Sequence, residues 1–258
     1  MRPVIIIQAR MGSSRLPGKV LADLHGAPML ARMVERVERA RGISEITIAT
    51  TDRPEDAAIC ALARNLGIRC FAGDAHDVLD RYCHAARAFD ADPVVRLTGD
   101  CPLIDPDIVS AVLDCYLEAG DADHVGLGGM FPDGLDTEVF ARRALTKAWS
   151  EARLPSEREH VTPYILKHPE RFRLVTYSFP EDRWEMRWTV DEPSDLIFVR
   201  AVYARLYAPG QPFGWREIVD LVAKVPEIGA LNAGITRNAG YVRSLEEDRA
   251  GARERDCA

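Results

Sequence analysis

The sequence predicts a single α/β domain built on a wound, mostly parallel sheet, and two observations carry that prediction. Through the first half of the chain, short β-rich runs alternate with segments of helical period, the signature of a parallel sheet covered by helices. At 258 residues, the chain is long enough for one sizeable domain with a substantial insertion. Strands are expected at Val4 to Gln8, Glu45 to Thr50, Arg69 to Phe71 and Pro93 to Leu97. Helices are expected to start near Pro28, Pro54, His76 and Pro106, mostly at a proline whose missing N–H costs little in the first turn. Asp52 and Asp105 stand where they would cap helices, and Ile108, Val109 and Val112 begin an apolar face behind Asp105.

From about Asp121 the rhythm breaks. HVGLGGMFPDGLDTEVF is rich in glycine and turn residues with a strand-like end, and a charged helical stretch follows through ALTKAWSEARLPSEREHVTPYILKH. Residues 131–187 therefore read as an inserted substrate or dimerisation segment within a domain of residues 1–245. Alternation resumes with RLVTYSF, with RWTV as a strand ending at Asp191, and with the helix-like SDLIFVRAVYARLY. Residues 246–258 are charged and poor in apolar groups, and composition alone makes them a loose tail.

Hydrophobic residues make up 47% and charged residues 28%, with no apolar run long enough to span a bilayer. The apolar stretch of MRPVIIIQAR is too short, and too soon followed by charge, for a secretory signal, which places the chain in the cytoplasm, away from membranes. A formal net charge of -7 argues against nucleic acid as a partner and makes any local cluster of cations informative. The six cysteines form no C-x-x-C pair and no zinc-like spacing with histidine, so reduced and mostly buried thiols are expected. Of these, Cys101 alone sits inside a motif of interest.

The first such motif is QARMGSSRLPGK, which leaves the strand Val4 to Gln8. It resembles a Walker A loop, but five residues rather than four separate Gly12 from Gly18, and Val20 stands where the magnesium-holding hydroxyl belongs. In a wound sheet, ligands bind beside the loops at the carboxyl ends of strands. Here the glycines let the backbone approach a ligand, and Arg10, Arg15 and Lys19 bring positive charge suited to a polyphosphate. A solvated basic turn is the plainer alternative.

In VVRLTGDCPLIDPDIV a strand delivers Asp100 at its end, where a carboxylate can hold magnesium against substrate phosphates or merely close a turn. RWTVDEPSDL offers Asp191 in the same way, yet TDRPED around Asp52 has the identical Asp-x-Pro-x-Asp form. Spacing alone therefore favours helix capping for both. GLDTEVF sets Asp136 and Glu138 on one face of a strand, and SEREHVTPYI crowds Arg158, Glu159 and His160 at the start of a helix or arm. A solvated charge run competes with a substrate role for that cluster, and a lone histidine is more often structural than an acid or base.

Taken together, IIIQARMGSSRLPGKVL, DVLDRY at 77–82, RLTGDCPLIDP, GLDTEVF, REHVTPYI and WTVDEPSDL resemble the acylneuraminate and 3-deoxy-manno-octulosonate cytidylyltransferase family. The likeness is greatest to the branch typified by spore coat polysaccharide biosynthesis protein F, and it runs in order from about residue 3 to 245. It implies a Rossmann-like sheet of the nucleotide-diphospho-sugar transferase type. The implied reaction has an acceptor oxygen attack the α-phosphate of CTP, with release of pyrophosphate. By the same resemblance, Arg15, Lys19 and Asp100 are catalytic, and Ala9, Arg10, Gly12 and Thr98 join Arg15 and Lys19 around the nucleotide. Asp100 and Asp191 would hold Mg2+, while Asp136, Glu138, Arg158 and His160 fall to a small acidic acceptor. Thr98 departs from the glutamine of the octulosonate enzymes, which bears on cytosine selectivity. Homodimerisation through the inserted segment is implied as well.

Two rival functions are open at this level. A nucleotide-sugar glycosyltransferase would use a D-x-D pair such as Asp105-Pro106-Asp107 or Asp121-Ala122-Asp123, but it leaves the basic loop unexplained. A non-catalytic nucleotide-binding homologue would keep the fold without turnover.

Overall fold

The computed structural model describes residues 1–256. Its elements run β1 (Val4–Gln8), a 3-10 turn (Lys19–Leu21), β2 (Asp23–Leu24), β3 (Ala27–Pro28), α1 (Met29–Val37), β4 (Glu45–Thr51), α2 (Ala57–Asn65), β5 (Arg69–Gly73), α3 (Val78–Ala88) and β6 (Val94–Thr98). They continue with α4 (Pro106–Ala119), β7 (His124–Gly128), β8 (Glu138–Phe140), α5 (Arg142–Glu151), α6 (Pro155–His160), α7 (Pro163–Lys167) and β9 (Leu174–Ser178). Last come α8 (Pro193–Leu206), α9 (Trp215–Lys224), α10 (Pro226–Gly229) and α11 (Ala239–Asp256).

The principal sheet has seven strands in the order β5-β4-β1-β6-β8-β7-β9, and β8 alone runs against its neighbours. The chain leaves β1 for β4 on one side and later returns to β6 on the other, so the strand order reverses at β1. Loops diverge at such a point and leave a crevice at the carboxyl ends. The unbroken apolar run Val4 to Ile7 suits this central place, because both faces of the strand are covered and all four side chains are fully buried. Tyr82 of α3 fastens the seam by donating its hydroxyl to the carbonyls of Ile6 (3.0 Å) and Leu97 (3.2 Å).

The stretch after Asp121 contributes three strands to this sheet. His124–Gly128, glycine-rich in sequence, is strand β7; Glu138–Phe140 enters as β8 between β6 and β7, and Leu174–Ser178 closes the edge beside β7. The direction of β8 matters for the site. Because it runs antiparallel to β6, its first residues lie at the edge where β6 ends, with Glu138 in register with Arg96.

Several local expectations need correction. RWTV is extended but is no strand of the sheet: Trp188 and Thr189 donate their N–H groups to the carbonyl of Asp133, and Val190 donates to that of Asp100 (2.8 Å). Asp105 caps α4 through the N–H groups of Asp107 and Ile108, as expected. Asp52 caps nothing; in that motif the buried residue is Asp56, which accepts from the Met11 N–H at 2.6 Å and from the Thr51 hydroxyl. The charged stretch before Asp256 is helical, and Asp248 ties it to α6 by accepting from the Ser156 N–H at 3.0 Å and from its hydroxyl. Composition misses this because the helix is held by polar contacts rather than an apolar stripe. Among the described cysteines, Cys83 and Cys101 are buried while Cys60, Cys70 and Cys115 are partly exposed; Cys257 lies outside the described residues.

Candidate active site

A cleft of about 1100 Å³ opens at the carboxyl ends of β1 and β6. Every site residue that the family resemblance implies lines it: Ala9, Arg10, Gly12, Arg15, Lys19, Thr98, Asp100, Asp136, Glu138, Arg158, His160 and Asp191. Asp105, Asp107, Asp121 and Asp123 do not. The D-x-D pairs are thereby removed from the site; Asp105 is occupied with its helix cap and the Trp215 N–H, and Asp123 with Arg143.

The basic loop is folded on itself, with the N–H groups of Ser13 and Gly18 both donating to the Met11 carbonyl at 2.9 Å. Gly18 needs its positive φ of 73° to turn the chain into the 3-10 turn that carries Lys19 inward. At Gly12 a Cβ would meet nothing within 4 Å, so its contribution is the absence of a side chain beside the cleft.

Lys19 is almost wholly buried, and its Nζ donates to Asp100 Oδ2 (3.1 Å), Asp191 Oδ1 (2.9 Å) and the Val190 carbonyl (2.6 Å). Burial works against the ammonium, but the two carboxylates outweigh it and hold the Lys19 pKa above the ordinary lysine value. Burial likewise opposes ionisation of Asp100, and the Lys19 charge and the Thr98 hydroxyl reverse this, leaving the carboxyl below its usual value. Arg15 reaches Asp191 Oδ2 (3.1 Å) and Glu192 Oε1 (2.9 Å), while Arg10 pairs with Glu159 at 3.2 Å.

Asp191 does not cap α8, contrary to what its spacing favours. Glu192 is the N-cap residue, and Asp195, third in the helix, closes the capping box by accepting from the N–H groups of Asp191 and Glu192 at 2.9 Å each, so the Asp191 side chain is left to the cleft. Asp100 and Asp191 thus present carboxylate oxygens to one cation, here the Lys19 ammonium. No cluster of three or more His, Cys, Asp or Glu side chains able to hold a metal occurs among the described residues. Two converging carboxylates fit a hard divalent ion that draws its remaining ligands from water and substrate phosphates.

The acceptor residues divide into spent and available groups. Glu138 is locked to Arg96, to His124 Nε2 (3.0 Å) and to the Thr162 hydroxyl (2.8 Å). Against the cost of its burial, Arg96 first and then His124 bring its pKa down to about 2. Arg158 is tied to Asp77 and to the Trp149 carbonyl. Asp136, exposed to the cleft, accepts the Gly134 N–H at 3.0 Å, and partial desolvation by the surrounding cleft walls raises its carboxyl above the usual range. His160 meets the Ser244 hydroxyl at 3.0 Å; burial, then the charge of Arg96, lowers its pKa to about 4, so the imidazole is neutral at pH 7.

Sequence reasoning missed the support beneath Asp191. Buried Arg187 donates to Asp133 (2.8 Å), Asp191 (3.1 Å) and Asp195 (2.9 and 3.0 Å), and Asn232 bridges the Arg187 carbonyl and Asp195. Burial, followed by the charge of Asp136, pushes Asp133 up to about 6. The close approach of the two segments depends on Gly134, whose φ is 109° and whose Cβ would lie 2.6 Å from the Thr189 nitrogen. Gly134→Ala is therefore expected to cost about 1–3 kcal/mol of stability. A urea melt reads this directly, and an unchanged midpoint would refute the constraint.

A basic loop and two converging acids at the switch point of a wound sheet define a nucleotidyltransferase of the nucleotide-diphospho-sugar transferase fold. The family described as Cytidylyltransferase matches residues 4–210, and the chain belongs to it. It is 36% identical to an uncharacterized protein of Methanocaldococcus jannaschii, MJ1063, over 96% of this chain and 100% of that one. It is 33% identical to the spore coat polysaccharide biosynthesis protein SpsF of Bacillus subtilis over 78% of this chain and 86% of that one. The 3-deoxy-manno-octulosonate cytidylyltransferase of Anaeromyxobacter dehalogenans is 44% identical over 45% of this chain and 47% of its own. Among solved structures, a cytidylyltransferase from Leptospira borgpetersenii superposes with a TM-score of 0.85 at 33% identity, covering 92% of this chain and 100% of the other.

Proposed function

We propose that the chain transfers CMP from CTP to an acidic acceptor, a sugar acid or a phosphate- or phosphonate-bearing molecule, for surface polysaccharide or glycoconjugate assembly. The observation that carries this reading is the convergence of Asp100 and Asp191 on one cation beside the basic loop, in a chain of the cytidylyltransferase family. The acceptor oxygen bonds to the α-phosphorus, the bond from that phosphorus to the bridging oxygen breaks, and pyrophosphate leaves with the electron pair.

Such a transfer asks the protein to position the reactants and to neutralise spreading charge. Arg10, Arg15 and Lys19 would grip the triphosphate. The present partners of Arg10 and Arg15, Glu159 and Glu192, act as carboxylate stand-ins for it, in partly exposed pairs that a triphosphate, with its greater charge, can displace. Asp100 and Asp191 would hold Mg2+, which would supply charge neutralisation at the reacting phosphate. Ala9, Gly12 and Thr98 would serve the nucleoside and Asp136 would meet the acceptor, while His160 is held by Ser244 and Tyr241. In this reading the chain works as a homodimer through 131–187, a segment that leaves Leu166 and Trp184 exposed.

Radiolabelled CTP with magnesium, incubated with 3-deoxy-manno-octulosonate, nonulosonates, sugar phosphates and phosphonates, is expected to yield pyrophosphate and a CMP-linked product with at least one acid. Turnover of UDP-sugars without pyrophosphate would sink this assignment, and tight CTP binding with no turnover on any acceptor would favour a non-catalytic role.

A further inference from the structure

The last described helix, α11, lies past residue 210, where the family match ends, yet it forms one wall of the cleft. One of its stripes faces α6. Tyr241 meets the His160 ring edge-on at 5.0 Å, Ser244 meets His160 Nε2, and Asp248 holds Ser156. The positions are spaced by three and four, as a single helical face requires. The adjoining stripe, Gly240, Arg243 and Glu247, lines the cleft.

Charge distribution makes Arg243 stand out. The other cations around the cleft are engaged: Arg10 with Glu159, Arg15 with Glu192, Lys19 with Asp100 and Asp191, Arg81 with the Asp74 carbonyl, Arg96 with Glu138, and Arg158 with Asp77. The exposed Arg243 side chain makes no hydrogen bond or ion pair among the described residues, although it lines the same cavity. Of the acids lining the cleft with it, Asp133 and Glu138 are paired with Arg187 and Arg96, whereas Asp136 has no ion-pair partner among the described residues. An anionic group set against the Asp136 carboxylate would be repelled, whereas hydroxyl groups can donate to it.

We infer that Arg243 receives the anionic group of the acceptor, so that α11 selects acidic acceptors and turns their hydroxyl face towards Asp136. This rests on the cytidylyltransferase reading above. The guanidinium matches a carboxylate with paired donors, which a lysine reproduces only as a point charge. Arg158, expected from sequence to serve the acceptor, cannot do so without abandoning Asp77. His160, held by Ser244 and Tyr241, fixes the helix against α6 and so sets where Arg243 stands.

The test uses the full chain with CTP, magnesium and 3-deoxy-manno-octulosonate, and the methyl ester of that acid as a neutral probe. Arg243→Ala is expected to raise the acceptor KM by about tenfold or more, the scale of a lost charge-assisted hydrogen bond, and to leave the KM for CTP unchanged. Arg243→Lys should recover part of the loss. The ester should be a poor acceptor for the parent enzyme and no poorer for Arg243→Ala, because the group that Arg243 reads is already masked. An equal penalty on acid and ester, or no change on either, overturns the inference while the parent enzyme's turnover leaves the function standing. If the parent enzyme releases no pyrophosphate with any acid, the function itself fails and the inference fails with it.

Discussion

Replacing Asp100 by Asn is expected to cut pyrophosphate release at saturating CTP by about a hundredfold or more, the scale of a lost charge-stabilising contact. The substitution keeps the shape of the side chain and removes its charge. Lys19 retains Asp191 and the Val190 carbonyl, so the buried ammonium is still compensated and the fold should survive. What goes is one of the two carboxylates that converge at the end of β6. Because the contact is worth most where charge develops, the loss should fall on kcat more than on the KM for CTP. Thermal melting alongside the kinetics separates lost chemistry from lost folding. A variant with the parent's melting temperature and the parent's rate would remove Asp100 from the machinery.

Asp100 was legible because strand and acid are adjacent in sequence: a strand that ends in Gly99-Asp100 at the carboxyl edge of a wound sheet has few other places to put that carboxylate. Asp191 was legible only through resemblance. Its motif and that of Asp52 are the same pattern, and their structures share one feature, a buried aspartate at the last position that accepts from backbone N–H: one at Asp56, two at Asp195. In both, the first aspartate is therefore released from capping. Asp191 differs because the segment before it bonds to Asp133 and Asp100, which turns its side chain towards Lys19; these are contacts across 54 to 90 residues that no local pattern encodes. The strands of the first half were readable for the opposite reason: period, proline and caps are local. β8 was readable as a strand but not in its antiparallel place between β6 and β7, and α11 was not readable because its anchoring is polar.

Arg187→Met is expected to cost about 3–5 kcal/mol of stability, since removing one partner of a buried ionic network strands the others. Arg187 is 8% exposed and answers three carboxylates, Asp133, Asp191 and Asp195, of which Asp195 is completely buried. Methionine matches much of the apolar length but offers no donor. Asp195 would keep the Asp191 and Glu192 N–H groups and Asn232, which satisfy its oxygens without neutralising its charge. The cost should therefore be mostly that of an unpaired charge rather than of lost packing. The double variant Arg187→Met with Asp195→Asn distinguishes the two: it should be less destabilised than Arg187→Met alone, as coupled partners of one network behave. Urea unfolding of both variants reads the difference. If the double variant is worse than the single one by the full cost of Asp195→Asn, the two residues act independently and the network is no support for Asp191. If instead coupling is found, the same single variant should also lose turnover, because Arg187 is what steadies Asp191 from the side opposite Lys19.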